Sequence, residues 1–374
     1  MKRIDFLTVQ NQYSSTFTFT DGLRSAFERL GVRIRVFPMD TLSMEGLSAL
    51  LQDPADMTLS FSYVGFSTEE KDMFIGDYLK RPHFTYWVDG AIFSLPLLRS
   101  PYNYVSVVDR LDYQGLKSIG EDKLLFLPHA VEYEELSMQE KCYDIVMSAS
   151  FLDFEDRKTL WKYKYSEHLC KVMHLCCNYV LTDATSSISL CLERALNECR
   201  YSLLKESFAD IYFEIEYYCK GKDRLQLLYA LKEFDVHVFG PSDWTWALKD
   251  LKNVILHSPL SYIESLATFE KSKVVLNSSP QFRHGSHERV FNSLAKGAVV
   301  ITNENSYLEE QFHKDSGLLY YHPDKTEELC LQLRAMLSCE ELRKSAALKG
   351  YSLVMKEHTW DVRAAQILKI LCSQ

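Results

Sequence analysis

Thirteen consecutive residues, Asn277-Ser278-Ser279-Pro280-Gln281-Phe282-Arg283-His284-Gly285-Ser286-His287-Glu288-Arg289, form the segment of this 374-residue chain best equipped to bind an anion. Apolar residues predict a strand over 274–277, and the pattern after the loop predicts a helix over 288–296. The free N–H groups and the positive dipole end of such a helix attract negative charge. Arg283, His284, His287 and Arg289 add donors around the same turn, and arginine suits bidentate phosphate contact. In a parallel α/β sheet, ligands bind beyond the C-terminal strand ends, where this loop falls. The competing reading is an ordinary solvated loop before a serine-capped helix.

A second set of residues could move a proton. Asp21, Asp89, Asp109 and His129 all fall near predicted strand ends or helix starts. Asp21 equally suits a helix N-cap. Asp89 follows an aromatic strand and precedes Gly90, which turns the backbone at the sheet's edge. His129 suits an acceptor-side or hinge contact. His168, Cys170, His174, Cys176 and Cys177 cluster within ten residues. They lack the tight loop-borne cysteine pairs of structural zinc sites and read as buried thiols on a helix face. Trp244 and Trp246 read as packing at a strand-to-helix turn, with base or sugar stacking as the alternative.

The elements that must position these groups alternate in type. Strands are predicted at residues 4–9, 32–37, 57–63, 84–88, 104–108 and 124–127, with helices at 21–30 and 44–51 between the first three. A second series has strands at 143–148, 236–239, 254–257, 274–277 and 298–302. Helices are predicted at 262–270, 288–296, 327–337, 340–351 and 359–371. Strands separated by helices of about ten residues indicate parallel sheets. Residues 155 to about 231 are helical in character, without strand punctuation, and rich in Cys, Tyr and Leu. Tyr201, Tyr212, Phe213, Tyr217 and Tyr218 there are too many aromatics for an exposed insertion, so they pack on the second domain or on another subunit. The expected domains are 1–138 and 142–355, joined at polar residues 136–141, with 155–222 inserted in the second and a last helix over 356–374.

Composition narrows the classes. At 47% hydrophobic and 25% charged, the chain has a folded, non-repetitive profile, and its length exceeds what one core usually holds. A net charge of −9 supplies no global field for nucleic acid. Of ten cysteines none precedes Cys142, which is no disulfide framework. Neither a signal peptide nor a membrane span is apparent. The expectation is a reduced, cytoplasmic protein without nucleic-acid partners or a transmembrane segment.

Residues 254–370 resemble the C-terminal domain of GT-B glycosyltransferases, specifically the CgeB-like "glycosyl transferases group 1" set. The run Arg289-Val290-Phe291-Asn292-Ser293-Leu294-Ala295-Lys296-Gly297-Ala298 carries the likeness. It continues through Tyr307-Leu308-Glu309-Glu310, Gly317-Leu318-Leu319-Tyr320-Tyr321 and Glu357-His358-Thr359-Trp360. Tyr86-Trp87-Val88-Asp89, Phe126-Leu127-Pro128-His129-Ala130 and Tyr143-Asp144-Ile145-Val146-Met147-Ser148-Ala149-Ser150 resemble the same family more loosely. The resemblance implies two Rossmann-like domains facing a cleft, a crossing C-terminal helix, and sugar transfer from a nucleotide-diphosphate donor to a glycan or protein, of the kind used in bacterial glycosylation. It places Pro259, Leu260 and Tyr262 at the base, and Asn292 or Glu288 at the ribose. Ser150, Arg283, Gly285, Ser286, His287 and Arg289 fall at the diphosphate, with Asp89, Asp21 or His129 as acceptor base. No cofactor or metal is implied, since the Asp-x-Asp motif of the other glycosyltransferase architecture is missing. The family's usual second glutamate is Asn292 here, and the first would be His284. A non-catalytic binding protein and a nucleotide-sugar epimerase or hydrolase therefore stay open beside the transferase.

Overall fold

The computed structural model describes residues 1–9, 15–62, 64–65, 73–118, 120, 122–137, 139–203 and 207–372. Tyr63, the predicted end of the third strand, and Met138, the predicted domain edge, lie outside these residues. The chain divides into two compact units, Met1–Glu135 with Val354–Gln374, and Leu136–Leu353.

The first unit contains β1 (Arg3–Thr8), α1 (Ser15–Arg29), β2 (Arg33–Pro38), α2 (Met44–Gln52), β3 (Met57–Phe61), α3 (Ile75–Leu79), β4 (His83–Tyr86), β5 (Asn103–Val107), α4 (Arg110–Ser118) and β6 (Leu124–Phe126). A 3₁₀ helix, Ala91–Arg99, joins β4 to β5. The strands form one parallel sheet in the order β2-β1-β3-β4-β5-β6. Chain order reverses between β1 and β3, which opens a crevice at their C-terminal ends.

Helix α1 starts at Ser15, a turn and a half before the predicted Asp21. Threonines at 16, 18 and 20 disguise it, since β-branched residues disfavour helices. Burial of Phe19, Leu23, Ala26 and Phe27 on one stripe overrides that preference. Asp21 is therefore inside the helix, where it pairs with Arg24 at 3.4 Å, and it caps nothing.

The second unit contains β7 (Tyr143–Ser148), α5 (Phe154–Lys164), α6 (Glu167–Thr182), α7 (Ile188–Cys199), α8 (Phe208–Ala230), β8 (Val236–Phe239), α9 (Trp244–Ala247), β9 (Val254–His257), α10 (Tyr262–Glu270), β10 (Ser272–Leu276), α11 (Glu288–Ala295), β11 (Val299–Asn303), α12 (Ser306–Gln311), β12 (Leu318–Tyr321), α13 (Thr326–Ser338) and most of α14 (Glu340–Glu357). Its parallel sheet runs β12-β11-β10-β7-β8-β9 and switches direction between β7 and β10. The central strands carry apolar runs, Val274–Leu276 in β10 and Val299–Ile301 in β11, as expected of a sheet covered on both faces.

The predicted insertion does not end at residue 222. Helix α8 runs unbroken for 23 residues. Its first half packs with α5, α6 and α7, and its last turns bury Leu227 and Leu228 in the core of the sheet. Cys170, Cys176, Cys177, Cys191 and Cys219 fill the core of that helical block as free thiols. Burial raises the pKa of the Cys176 and Cys177 thiols, so they act as small apolar side chains. Trp244 is buried, and its indole N–H donates to the Ala149 carbonyl at 3.2 Å.

The last helix, α15 (Trp360–Cys372), belongs to the first unit and packs on α1. A Cβ on Gly22 would collide with Trp360. No described helix is long and apolar enough to cross a membrane.

Candidate functional site

The switch point of the second unit carries a buried polar network. Asn277, just beyond β10, donates through Nδ2 to Ser279 Oγ at 2.9 Å and Thr302 Oγ1 at 3.0 Å. Both donor positions being used, its Oδ1 accepts from Arg289 Nη1 at 3.0 Å. Asn303, the last residue of β11, accepts the Ser279 N–H at 2.7 Å and donates to both carboxylate oxygens of Asp223 at 3.0 Å. Ser278 Oγ donates to the same carboxylate at 2.6 Å. Burial raises the Asp223 pKa, and these three hydrogen bonds oppose the rise. The network fixes the end of β11, the loop after β10 and the middle of α8 against one another.

Beside Asp223 on α8, buried Arg224 donates through Nη1 to the Ser150 carbonyl at 2.6 Å. A Cβ on Gly221, one turn earlier, would collide with the Leu152 carbonyl, so glycine lets α8 approach the loop after β7 this closely. Burial first, and then the charge of Arg289, lower the Arg224 pKa to about 10. Arg289 is lowered by burial too, with Glu288 opposing. Each guanidinium thus has a neutral oxygen as its hydrogen-bond partner, and Arg224 Nε has no partner among the described residues. The Asp223 carboxylate partly offsets the charge of Arg224, and Glu288 that of Arg289.

Helix α11 begins in the same place. His287 is its N-cap, and Nδ1 accepts the Arg289 backbone N–H at 3.3 Å. Burial lowers the His287 pKa, and the neighbouring Glu288 carboxylate opposes the fall. Glu288 Oε2 lies 2.7 Å from the same nitrogen. Gly285 and Ser286 are buried in the turn before it, where Asn305 Nδ2 donates to the Gly285 carbonyl at 2.8 Å. On α8, Lys220 pairs with Glu216.

The other expected contacts divide. Asn292 on α11 donates through Nδ2 to Tyr262 Oη at 2.8 Å, bringing the two predicted ribose and base residues together. Pro259 is exposed and Leu260 half-buried in the loop after β9. Arg283 turns away from this group: its guanidinium is buried and donates to the Val180 carbonyl in the last turn of α6. His284 bridges the Thr185 carbonyl and Ser306, and His322 Nε2 lies 3.2 Å from the Thr182 carbonyl. These three side chains serve carbonyls at and just beyond the open end of α6 and bind the helical block to the sheet.

The four acid–base candidates belong to the first unit and occupy different environments, Asp109 being buried with its Oδ1 accepting the Leu111 N–H at 2.9 Å at the start of α4. Asp21 is ion-paired on α1. His129 is buried, its ring 6.3 Å from Phe19 and its carbonyl accepting from Arg363 at 3.3 Å. Asp89 is exposed beyond the end of β4. Among the described residues no cluster of three or more His, Cys, Asp or Glu has a metal-holding arrangement.

Asp223, Arg224, Lys220 and Asn303 escaped the sequence reading. A signal for two of them was present: Asp223 and Arg224 stand one turn before Leu227 and Leu228, so the helical period places two charges on a buried face.

The family model described as "Glycosyl transferase-like" matches residues 223–369, beginning at Asp223. A sucrose-phosphate synthase from Thermosynechococcus elongatus shares the fold with a TM-score of 0.56 and 10% identity, over 100% of this chain and 99% of that one. T4 phage BGT, in complex with its UDP-glucose substrate, has a TM-score of 0.51 and 10% identity over 99% and 98% of the two chains. Anabaena HepE, in complex with UDP and glucose, gives 0.51 and 10% over 100% of each. No curated protein matches the sequence. Residues 223–369 match the Glycosyl transferase-like family model, and the chain has the GT-B fold of two Rossmann-like domains.

Proposed function

We propose that this chain is a glycosyltransferase that moves a sugar from a nucleotide-diphosphate donor to an acceptor hydroxyl on a glycan or a protein. The observation that carries the reading is the Arg224–Arg289 pair, two neighbouring guanidiniums that, among the described residues, donate to neutral oxygens at the sheet's switch point. A diphosphate would meet them together with Ser150, Gly285, Ser286 and His287 at the start of α11. The ribose would meet Asn292 or Glu288 beside Tyr262, and the base would meet Pro259 and Leu260. Charge that develops on the leaving diphosphate is stabilised most by donors already in place, so these cations need no resident metal beside them. Asp89 takes the acceptor proton as the acceptor oxygen bonds to the anomeric carbon and the bond to the diphosphate breaks. The unpaired thiols packed in the helical block suit a reducing cytoplasm, where we place the reaction.

Thermal-shift scans against UDP, GDP, dTDP, CMP and their sugars test the donor site. A nucleotide at 100 times its Kd stabilises by about 2.7 kcal/mol. The reading expects one diphosphate to stabilise the wild type and neither Arg224→Ala nor Arg289→Ala. If every nucleotide leaves the melting temperature unchanged, the transferase reading fails and a binding protein without donor chemistry replaces it.

A further inference from the structure

The crevice between β1 and β3 in the first unit opens into a cavity of about 750 Å³. It lies at the C-terminal ends of the two strands between which chain order reverses, the position at which open α/β sheets hold ligands. Leu7, Leu51, Phe61, Val64, Phe74 and Ile75 supply much of its wall. Met39 and Met73 line it as well, and methionine adapts to irregular apolar shapes. Among the described lining residues none is charged, and the polar side chains are the hydroxyls of Thr8, Thr16, Thr20, Ser62 and Tyr78. One of these is already used, since Thr20 Oγ1 donates to the Thr16 carbonyl at 2.8 Å.

This lining does not suit a free sugar. Each buried sugar hydroxyl needs a partner, and an unpartnered one is costly. Volume and lining fit an aliphatic chain, whose burial gains with every methylene. We infer that the cavity holds an alkyl or prenyl chain carried by the acceptor, so that the sugar is transferred to a lipid-linked glycan. The acceptor role rests on the transferase reading above, whereas the cavity's preference for a chain does not.

The test is calorimetric binding of methyl, octyl and decyl β-D-glucopyranoside below their micelle concentrations, with p-nitrophenyl β-D-glucopyranoside as the aromatic comparison. Affinity is expected to rise at least tenfold from methyl to octyl and again to decyl. Thr16→Trp, which fills the cavity, and Met39→Lys, which charges it, should each remove at least tenfold of the decyl affinity. Both variants should keep wild-type nucleotide binding, which belongs to the other unit and reports that the chain is folded. Equal affinity along the series, preference for the nitrophenyl compound, or decyl binding indifferent to both substitutions would overturn the inference. Chain-length dependence without nucleotide binding would sink the transferase reading and leave the chain site standing.

Discussion

Arg224 and Arg289 resemble each other in charge and differ in what their removal leaves behind. Arg224 donates to the carbonyl of Ser150, an exposed residue that water can reach. Its replacement by methionine removes a desolvated cation from beside another cation. Stability without ligand should therefore change by less than about 1 kcal/mol, while nucleotide affinity falls about 10- to 100-fold, the value of a hydrogen bond to a charged group. Arg289→Met instead strands the buried Oδ1 of Asn277 and should cost about 1–3 kcal/mol even without nucleotide. Denaturant unfolding of the two apo variants, with calorimetry on each, separates the cases. His83 illustrates the same logic for a proton. Ser60 spends its hydroxyl hydrogen on the Val64 carbonyl at 2.7 Å, so its oxygen accepts from His83 Nε2 at 3.0 Å, and Nδ1 accepts from Thr58 at 2.8 Å. Burial pushes the His83 pKa down to about 3. Between there and the ordinary 6.5 the unfolded chain binds the extra proton, so stability is complete above about pH 6.5 and falls as pH drops, by up to about 1.4 kcal/mol per unit. His83→Gln, which can still meet both hydroxyls, should lose that component when unfolding midpoints at pH 5 and pH 7 are compared.

At the scale of elements, alternation and period revealed most of the architecture. β7, β8, β9 and α10 begin and end where their apolar patterns predict. Short elements escaped because four to six residues do not establish a period: α3, α9 and α12 are of this kind. Helix α8 was legible as helix to about residue 231, but not where the insertion ends, because its buried stripe faces other helices first and the sheet afterwards. The candidate site inherits that misreading, because Asp223 and Arg224 lie where the helix changes neighbours. The loop after β10 was legible through its donors, yet not which way each one points: Arg283 and Arg289 are indistinguishable by type and spacing. Arg283→Met should leave nucleotide binding to Arg289 in place and uncap α6, at a cost of about 1–3 kcal/mol. Hydrogen exchange should then rise first in the last turn of α6. Gly221→Ala opposes two effects of different size. Alanine favours a helix by about 1 kcal/mol over glycine, but its Cβ meets a backbone carbonyl that cannot swing aside. The collision should prevail, with lower stability and weaker nucleotide binding as Arg224 is carried away from Ser150.

At the scale of the whole molecule, the chain leaves its first unit near Glu135 and comes back to it at Val354. The returning segment is held by named bonds. Val131 bridges to Thr359, and Arg363 Nε donates to the Pro128 carbonyl at 2.8 Å. Trp360 packs its ring 5.7 Å from Phe19, 5.9 Å from Phe61 and 5.7 Å from Tyr86. The Glu357-His358-Thr359-Trp360 run is thus a structural clasp of the first unit. Trp360→Ala removes a buried indole from that aromatic cluster and should cost the first unit about 3–5 kcal/mol. The second unit keeps its own sheet and core, so the variant should melt in two steps, with the earlier one belonging to residues 1–135 and 354–374. Between the two steps, UDP or whichever nucleotide the wild type prefers should still bind with unchanged affinity, while decyl glucoside binding is already lost. A single transition that takes nucleotide binding with it would mean that the second unit depends on the first for its stability, and the donor site would then need the whole chain to form.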